Sequence, residues 1–347
     1  MITKKNNSFD EMRFILAFIV LVYHTSVLAS TEQLSWFTRY FNSDFAVKGF
    51  FAISGYLVTK SYLSSESFTQ YLEKRIRRIY PAYVLAIIYC VLIGFLTTNL
   101  NIFDFFSNLM LFKYLVANLS FLNFFQPTLP GSIIANEVQA LNGSLWTIKV
   151  ELMLYFTVPI LCFLYSTIGM KSTFVVTFAI GIAWFVYFSE IFFHPMGKII
   201  SYQFPGQLPF FALGSILGFF TLGRPKVVIG IALVTIIYFF NRGAIEAPYL
   251  QIVQMFIYPL IVVLLAESEK LSIGLGRFGD LSYGVYLFHF PTIQVFEHFA
   301  LYTINPYLGF SLSIVVTLGL AFFSWHVVEK RCLKRSSHYI MVEKRNK

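Results

Sequence analysis

The chain has 347 residues, of which 57% are hydrophobic, 19% are aromatic and only 12% are charged, and its mean hydropathy is +0.69. A soluble globular domain carries about 25% charged residues, so this composition excludes an ordinary soluble domain and predicts an integral membrane protein. The net charge of +9 does not indicate nucleic-acid binding, because the Lys and Arg residues lie between apolar runs instead of forming one basic stripe.

A helix that spans a membrane needs about 20 mostly apolar residues. We predict an all-α fold, a polytopic transmembrane helix bundle of about ten spans in a single domain, residues 1–347, with a short basic tail at 330–347. The predicted spans are 12–30, 44–63, 80–98, 145–167, 173–192, 204–222, 226–241, 249–267, 279–301 and 309–329.

The distribution of basic residues predicts the orientation of these spans. Cytoplasmic loops of membrane proteins carry an excess of Lys and Arg. If both termini are cytoplasmic, only six of the 26 Lys and Arg residues lie on the outer side, which is the expected asymmetry. Those six are Arg39, Lys48, Lys113, Lys149, Lys198 and Arg242.

Residues 105–125 are apolar enough to resemble an additional span. Polar residues interrupt them, and a further span would place the basic tail outside. We therefore predict an interfacial or re-entrant helix here. The interrupting residues are Asn108, Lys113, Asn118 and Asn123.

Arg13 and His24 lie inside the first predicted span. An ionisable side chain at membrane depth costs about 2.5–3.5 kcal/mol, which makes such residues candidates for function. Eleven residues correspond to three helical turns plus about 20°, so both side chains project from one face, about 16 Å apart along the axis. Two interpretations stay open: a catalytic His24, or an Arg that reaches the headgroups and a His bonded to a neighbouring helix.

Three further sites have charged or titratable side chains near the predicted spans. Arg75 and Arg78 are neighbours on one helix face and either bind phosphate groups or anchor the protein to anionic lipids. Three roles stay open for Glu151: it orients an imidazole, it accepts a hydrogen bond from a sugar, or it pairs with another helix. His289 lies about ten residues into the span 279–301. The histidine and cysteine spacings predict no metal site.

These residues fall within six motifs that together resemble the acyltransferase 3 family, whose multi-span members commonly modify bacterial surface carbohydrates. Lys48 stands where the family often has an acid, Leu152 where a second Glu is common, and Arg331 where a Pro is usual. The six matching segments are Arg13-x10-His24, FFAISGYL at 50–57, RIRRIYPAY at 75–83, SLWTIKVE at 144–151, LSYGVYLFHFP at 281–291, and Ser324-Trp325 through Glu329.

The resemblance implies transfer of an acyl group, most often acetyl, from an acyl-CoA donor to a carbohydrate hydroxyl. It implies no permanently bound cofactor, with acetyl-CoA as the donor substrate. Arg13, Arg75 and Arg78 are the expected donor-binding residues. The expected catalytic residues are His24, as general base or acyl carrier, with Glu151 and His289 orienting His24 or the acceptor.

The expected partners are membrane lipids and a bacterial surface polysaccharide or its lipid-linked precursor, such as O-antigen, capsule or exopolysaccharide, and no nucleic acid. The expected location is the bacterial cytoplasmic membrane. The alternative function is a secondary transporter or flippase for a polysaccharide precursor. We disfavour it because the sequence shows no inverted repeat of the kind found in such transporters.

Overall fold

The computed structural model describes residues 8–220, 248–268, 272–334, 337 and 339–341. Its regular elements in these ranges are helices, and the prediction of an all-α fold is confirmed for the described part of the chain. The longer helices are α1 (Phe9–Leu28), α2 (Ser43–Leu63), α3 (Phe68–Thr97), α6 (Trp146–Thr167), α7 (Met170–Val186), α9 (Phe204–Leu217), α10 (Pro248–Glu267), α11 (Ser282–His298) and α13 (Pro306–Phe323). The short helices are α4 (Ile102–Phe106), α5 (Leu109–Leu119), α8 (Gly197–Ser201) and α12 (Leu301–Ile304).

Nine of the ten predicted spans overlap one of the longer helices, and the predicted span 226–241 lies outside the described ranges. The ten-span count and the cytoplasmic termini stay predictions. Five helical segments in the described residues are long and apolar enough to cross a membrane. They are Phe9–Leu28, Phe68–Thr97, Gly143–Thr167, Met170–Ile191 and Pro306–Cys332.

The apolar segment at 105–125 does not form one long helix. α4 ends at Phe106, and the Asn108 side chain accepts a hydrogen bond from the backbone N–H of Met110 at the start of α5, so a new helix begins within the segment. The 11 residues of α5 extend about 16 Å, roughly half the thickness of a bilayer core. α5 is therefore too short to cross a bilayer by itself, and the interfacial or re-entrant placement stays a prediction.

The described residues form two compact units. Unit 1 contains residues 8–13, 47–71, 150–220, 248–268 and 272–273, and unit 2 contains residues 14–46, 72–149, 274–334, 337 and 339–341.

In unit 1, α2 and α9 approach each other through glycines. A Cβ at Gly55 would lie 2.1 Å from the carbonyl oxygen of Phe211, and one at Gly214 would lie 2.1 Å from that of Ala52. Small residues let membrane helices pack at such short range. The Gly of the SGYL sequence is therefore needed for packing, and its neighbour Ser54 is held in place as a result.

In unit 2, α11 packs closely against α13. It also forms hydrogen bonds with the long connection between α3 and α6. A Cβ at Gly284 would lie 2.7 Å from the Cα of Ala321. The Asn142 amide donates to the carbonyl oxygen of Leu287, and the Gln294 amide donates to the carbonyl oxygens of Val138 and Ala140. These contacts hold the connection against the helix that carries His289.

Candidate active site

Unit 2 brings together two histidines that are 265 residues apart in the sequence. His24 Nδ1 on α1 lies 2.8 Å from His289 Nε2 on α11. The two rings are nearly parallel, with an interplanar angle of 3° and centroids 5.1 Å apart. The rings therefore meet edge to edge, with the hydrogen bond in their common plane.

The hydrogen bonds of His289 determine which nitrogen of His24 is available. His289 Nδ1 lies 3.1 Å from the carbonyl oxygen of Val285, which can only accept, so Nδ1 donates. In a neutral His289 the other nitrogen, Nε2, then accepts the proton of His24 Nδ1–H. A neutral His24 therefore has its free lone pair on Nε2, the nitrogen a general base needs.

The two histidines differ in exposure. His289 is fully buried, whereas His24 is partly exposed. Phe290 lies edge-on to His24, with ring centroids 5.4 Å apart, and a Cβ at Gly143 would lie 2.7 Å from the Phe290 ring. His24 can therefore meet a substrate, while His289 contacts the site only through His24.

Among the arginines predicted to bind the donor, Arg78 is buried in two ion pairs. Its side chain is 8% exposed, and its two terminal nitrogens bond to Asp280 and, at 2.5 Å, to Glu329. Arg75, one turn earlier on α3, is partly exposed. Arg13 bonds to Asp10 of its own helix at 2.5 Å.

Glu151 lies in unit 1, where two hydroxyl groups hold one of its carboxylate oxygens. Ser54 Oγ donates to Oε1 at 2.8 Å and Tyr155 donates to the same oxygen at 2.5 Å. Lys48, which departs from the family pattern, is buried in the same unit and donates to Gln254 Oε1 at 3.3 Å.

The motifs seen in the sequence correspond to a known protein family. The model of the acyltransferase 3 family, described as an acyltransferase domain, matches residues 6–326. The chain belongs to the acyltransferase 3 family. This acyltransferase is similar to an O-acetyl transferase of Shigella phage Sf6, with 28% identity over an alignment that covers 96% of this chain and 98% of the relative. No solved structure matches it significantly. Its family and its long apolar helices identify it as a membrane protein.

Two motifs of this acyltransferase meet beside the histidine pair. Thr147 Oγ1 of the SLWT motif lies 2.6 Å from the phenol oxygen of Tyr286, and that phenol also lies 3.2 Å from the carbonyl oxygen of Ser144. Tyr286 and His289 are one turn apart on α11. These contacts fix the rotation of α11 and hence the direction in which His289 points.

Sequence analysis of this acyltransferase did not single out Asp280, Ser54 or Tyr155. Asp280 had a usable signal, because a buried Arg such as Arg78 requires an opposite charge. Ser54 also had a signal, because it stands in the FFAISGYL motif at 50–57. Tyr155 had none, because apolar membrane segments commonly contain Tyr without any role in a site.

Proposed function

We propose that this acyltransferase moves an acetyl group from acetyl-CoA to a hydroxyl of a bacterial surface polysaccharide or of its lipid-linked precursor. The hydrogen bond between His24 and His289 is the observation that carries the proposal, because it leaves His24 Nε2 as an accessible base. The similarity to a phage protein named O-acetyl transferase supports acetyl as the transferred group.

In the proposed reaction, His24 Nε2 takes the proton of the acceptor hydroxyl as its oxygen attacks the thioester carbonyl carbon. The C–O bond of the ester forms, the C–S bond breaks, and the coenzyme A thiolate leaves. The imidazolium returns the proton to that thiolate. His289 donates nothing to the substrate and holds the His24 ring in the reactive tautomer.

For the donor, we propose Arg75 as the main ligand of the coenzyme A phosphates within unit 2, because its side chain is partly exposed. Arg78 reaches a phosphate only if its ion pairs with Asp280 and Glu329 open. Arg13, in unit 1, is proposed as a further donor contact on the ground of the family motif.

For the acceptor, we propose that Glu151 binds a sugar hydroxyl through its carboxylate. Ser54 and Tyr155 hold and orient that carboxylate, whose oxygens can accept a hydrogen bond from a sugar hydroxyl. We propose a surface glycan as acceptor and the bacterial cytoplasmic membrane as the location, because multi-span members of the family commonly modify bacterial surface carbohydrates. The family gives the transporter alternative no support.

The test is His24→Ala in purified protein, with transfer of acetyl from acetyl-CoA to surface glycan as the readout. Loss of a general base slows catalysis by about 10²–10⁴-fold. His194→Ala is the matched control, because His194 is exposed and lies in unit 1, and full activity is expected. Full activity of His24→Ala would refute His24 both as base and as acyl carrier.

A second measurement separates a base from an acyl carrier. Acetyl-CoA is mixed with the enzyme without any acceptor, and released coenzyme A is counted per enzyme. A general base requires the acceptor hydroxyl, so we expect no release. Release of one coenzyme A per enzyme, with label retained on the protein, would show that His24 carries the acetyl group.

A further inference from the structure

We infer that Arg78, Asp280 and Glu329 form a positioning cluster that fixes α11 and thereby the placement of His289 against His24. The three residues come from three places in unit 2. Arg78 lies in α3, Asp280 lies two residues before α11, and Glu329 ends the π-helical segment Ser324–Glu329 that continues α13. The inference rests on the proposed role of His24.

Every carboxylate oxygen of the cluster and both terminal nitrogens of Arg78 have a hydrogen-bond partner. Each carboxylate gives one oxygen to the guanidinium of Arg78, and the other oxygen accepts from a hydroxyl. Ser282 donates to Asp280 Oδ1 at 2.5 Å, and Ser324 donates to Glu329 Oε1 at 2.8 Å. The five residues therefore satisfy one another, which is the condition under which buried charges are tolerated.

Aromatic rings close the cluster. The guanidinium carbon of Arg78 lies 5.0 Å from the ring centroid of Tyr283 and 4.6 Å from that of Tyr339. Arg78, Asp280 and Glu329 are 7%, 4% and 1% exposed. A coenzyme A phosphate would have to displace a carboxylate and enter between these rings to reach Arg78, whereas Arg75 on the same helix is partly exposed.

The start of α11 is held rigidly against its neighbours. Gly279 has φ of +91°, and a Cβ there would lie 1.9 Å from Trp325 Nε1, so this turn accepts only glycine without a shift. Tyr283 donates to the carbonyl oxygen of Ile79 on α3 at 3.1 Å. The segment from Asp280 to Tyr283 therefore contacts both α3 and the segment after α13.

A helix transmits this placement to the histidine pair. His289 lies seven residues after Ser282 on α11, about 10 Å along the axis, and the only Pro within α11 follows it at Pro291. A displacement of the helix start by about 1 Å would lengthen the 2.8 Å bond between His289 and His24 beyond useful hydrogen-bond range. The cluster thus acts on catalysis through His289 and without touching a substrate.

The experiment compares Arg78→Lys with Arg77→Lys. Lysine keeps the charge but cannot reach both carboxylates with a planar fork. Arg77 is the matched control, since its side chain is 45% exposed and pairs with Glu73 at the surface. The readouts are kcat per folded enzyme, the KM for acetyl-CoA, and the shift in melting temperature that acetyl-CoA produces.

For Arg78→Lys we expect a fall in kcat of about tenfold or more, a donor KM within about twofold of wild type, and an unchanged shift with acetyl-CoA. Arg77→Lys should change none of these. In a His289→Ala background, Arg78→Lys should lower kcat no further, because both act through the same bond. A merely structural Arg78 would lower stability alone and leave kcat per folded enzyme intact.

Two results would overturn the inference: a tenfold rise in the donor KM, which would make Arg78 a donor ligand, or an unchanged kcat per folded enzyme. If Arg78→Lys does not fold, the neutral combination Arg78→Met, Asp280→Asn and Glu329→Gln leaves no buried charge unpaired and gives the same readouts. His24→Ala is measured alongside. Activity of His24→Ala refutes the proposed function, whereas an inactive His24→Ala with a fully active Arg78→Lys refutes this inference alone.

Discussion

The two ends of the segment 280–290 in unit 2 differ in whether their hydrogen bonds leave an atom that a substrate can reach. At one end, Asp280 belongs to a charged cluster in which each carboxylate oxygen and both terminal nitrogens of Arg78 are paired. At the other end, His289 belongs to a short chain of hydrogen bonds that stops at His24 Nε2. The charged cluster therefore leaves no carboxylate oxygen without a partner, whereas the histidine pair ends in a nitrogen that a substrate can reach.

The comparison shows that a buried polar group is not by itself a sign of chemistry. Buried ionisable residues within predicted spans are candidates for function by default, and Asp280 and His289 are both buried within the predicted span 279–301. What separates them is whether a hydrogen-bonding position remains open. Saturation favours a role in holding helices, and an open lone pair favours a role in proton transfer.

Among substitutions that leave His24 in place, the largest effect is expected when the hydrogen bond from His24 to His289 is removed. His289→Ala leaves His24 Nδ1 without its acceptor and the tautomer unfixed. Loss of such a bond costs about 1–3 kcal/mol, so kcat should fall by up to about 100-fold. Steady-state kinetics with both substrates checks this, and the donor KM should stay near the wild-type value. A kcat equal to wild type would show that His24 needs no partner.

Glu151→Gln tests a site that is intermediate between the charged cluster and the histidine pair. Two hydroxyls hold one of the Glu151 carboxylate oxygens. A charged hydrogen bond to an acceptor sugar contributes about 1.5–3 kcal/mol, so kcat/KM for the acceptor should fall by about tenfold or more. Kinetics with varied acceptor and saturating donor measures it, and Ser54→Ala should give a smaller loss. An equal loss for the donor would argue against acceptor binding.

Gly284→Ala tests the packing between the two ends of the segment. The added Cβ would lie 2.7 Å from the Cα of Ala321, a backbone atom that cannot move alone. Overpacking of this kind costs about 1–3 kcal/mol, so the melting temperature in detergent should fall. Gly319→Ala on α13 is the control, because a Cβ there meets nothing within 4 Å. Equal melting temperatures for the two variants would contradict the packing.

Tyr286→Phe should have the smallest effect. It removes the hydroxyl group that contacts Thr147 Oγ1 and the Ser144 carbonyl oxygen, but it keeps the aromatic ring. The loss of one neutral hydrogen bond contributes about 1 kcal/mol, which corresponds to roughly fivefold in kcat if all of it is expressed at His289. Steady-state kinetics of Tyr286→Phe and Thr147→Val, measured together, checks that the loss comes from the bond between these two residues, since both variants remove it. A loss as large as that of His289→Ala would mean that Tyr286 contacts the substrate.

Much of the helical framework was predictable from the sequence, because apolar length alone indicates a membrane helix. The bounds of α1 and α2 lie within a few residues of their predicted spans. α3 ends within one residue of the prediction but begins at Phe68 instead of residue 80. The early start has a physical reason. The basic run at 74–78 is too polar for a membrane, yet Lys and Arg are good helix formers, so the helix extends beyond the apolar part.

The pairing of side chains was less predictable. His24 and His289 were each singled out by their depth, but nothing in two positions 265 residues apart predicts that Nδ1 of one meets Nε2 of the other. Arg78 was grouped with Arg75 because helical spacing makes them neighbours. Spacing within α3 carries no information about Asp280 and Glu329, which decide what surrounds the guanidinium.

A double-mutant cycle between the histidines tests the central claim most directly. The rate of acetyl transfer is measured for wild type, His24→Ala, His289→Ala and the double variant in purified enzyme. If His289 acts only by orienting His24, the double variant should retain the same residual rate as His24→Ala. A double variant slowed further by the full factor of His289→Ala would show that the two histidines act independently and would contradict the account.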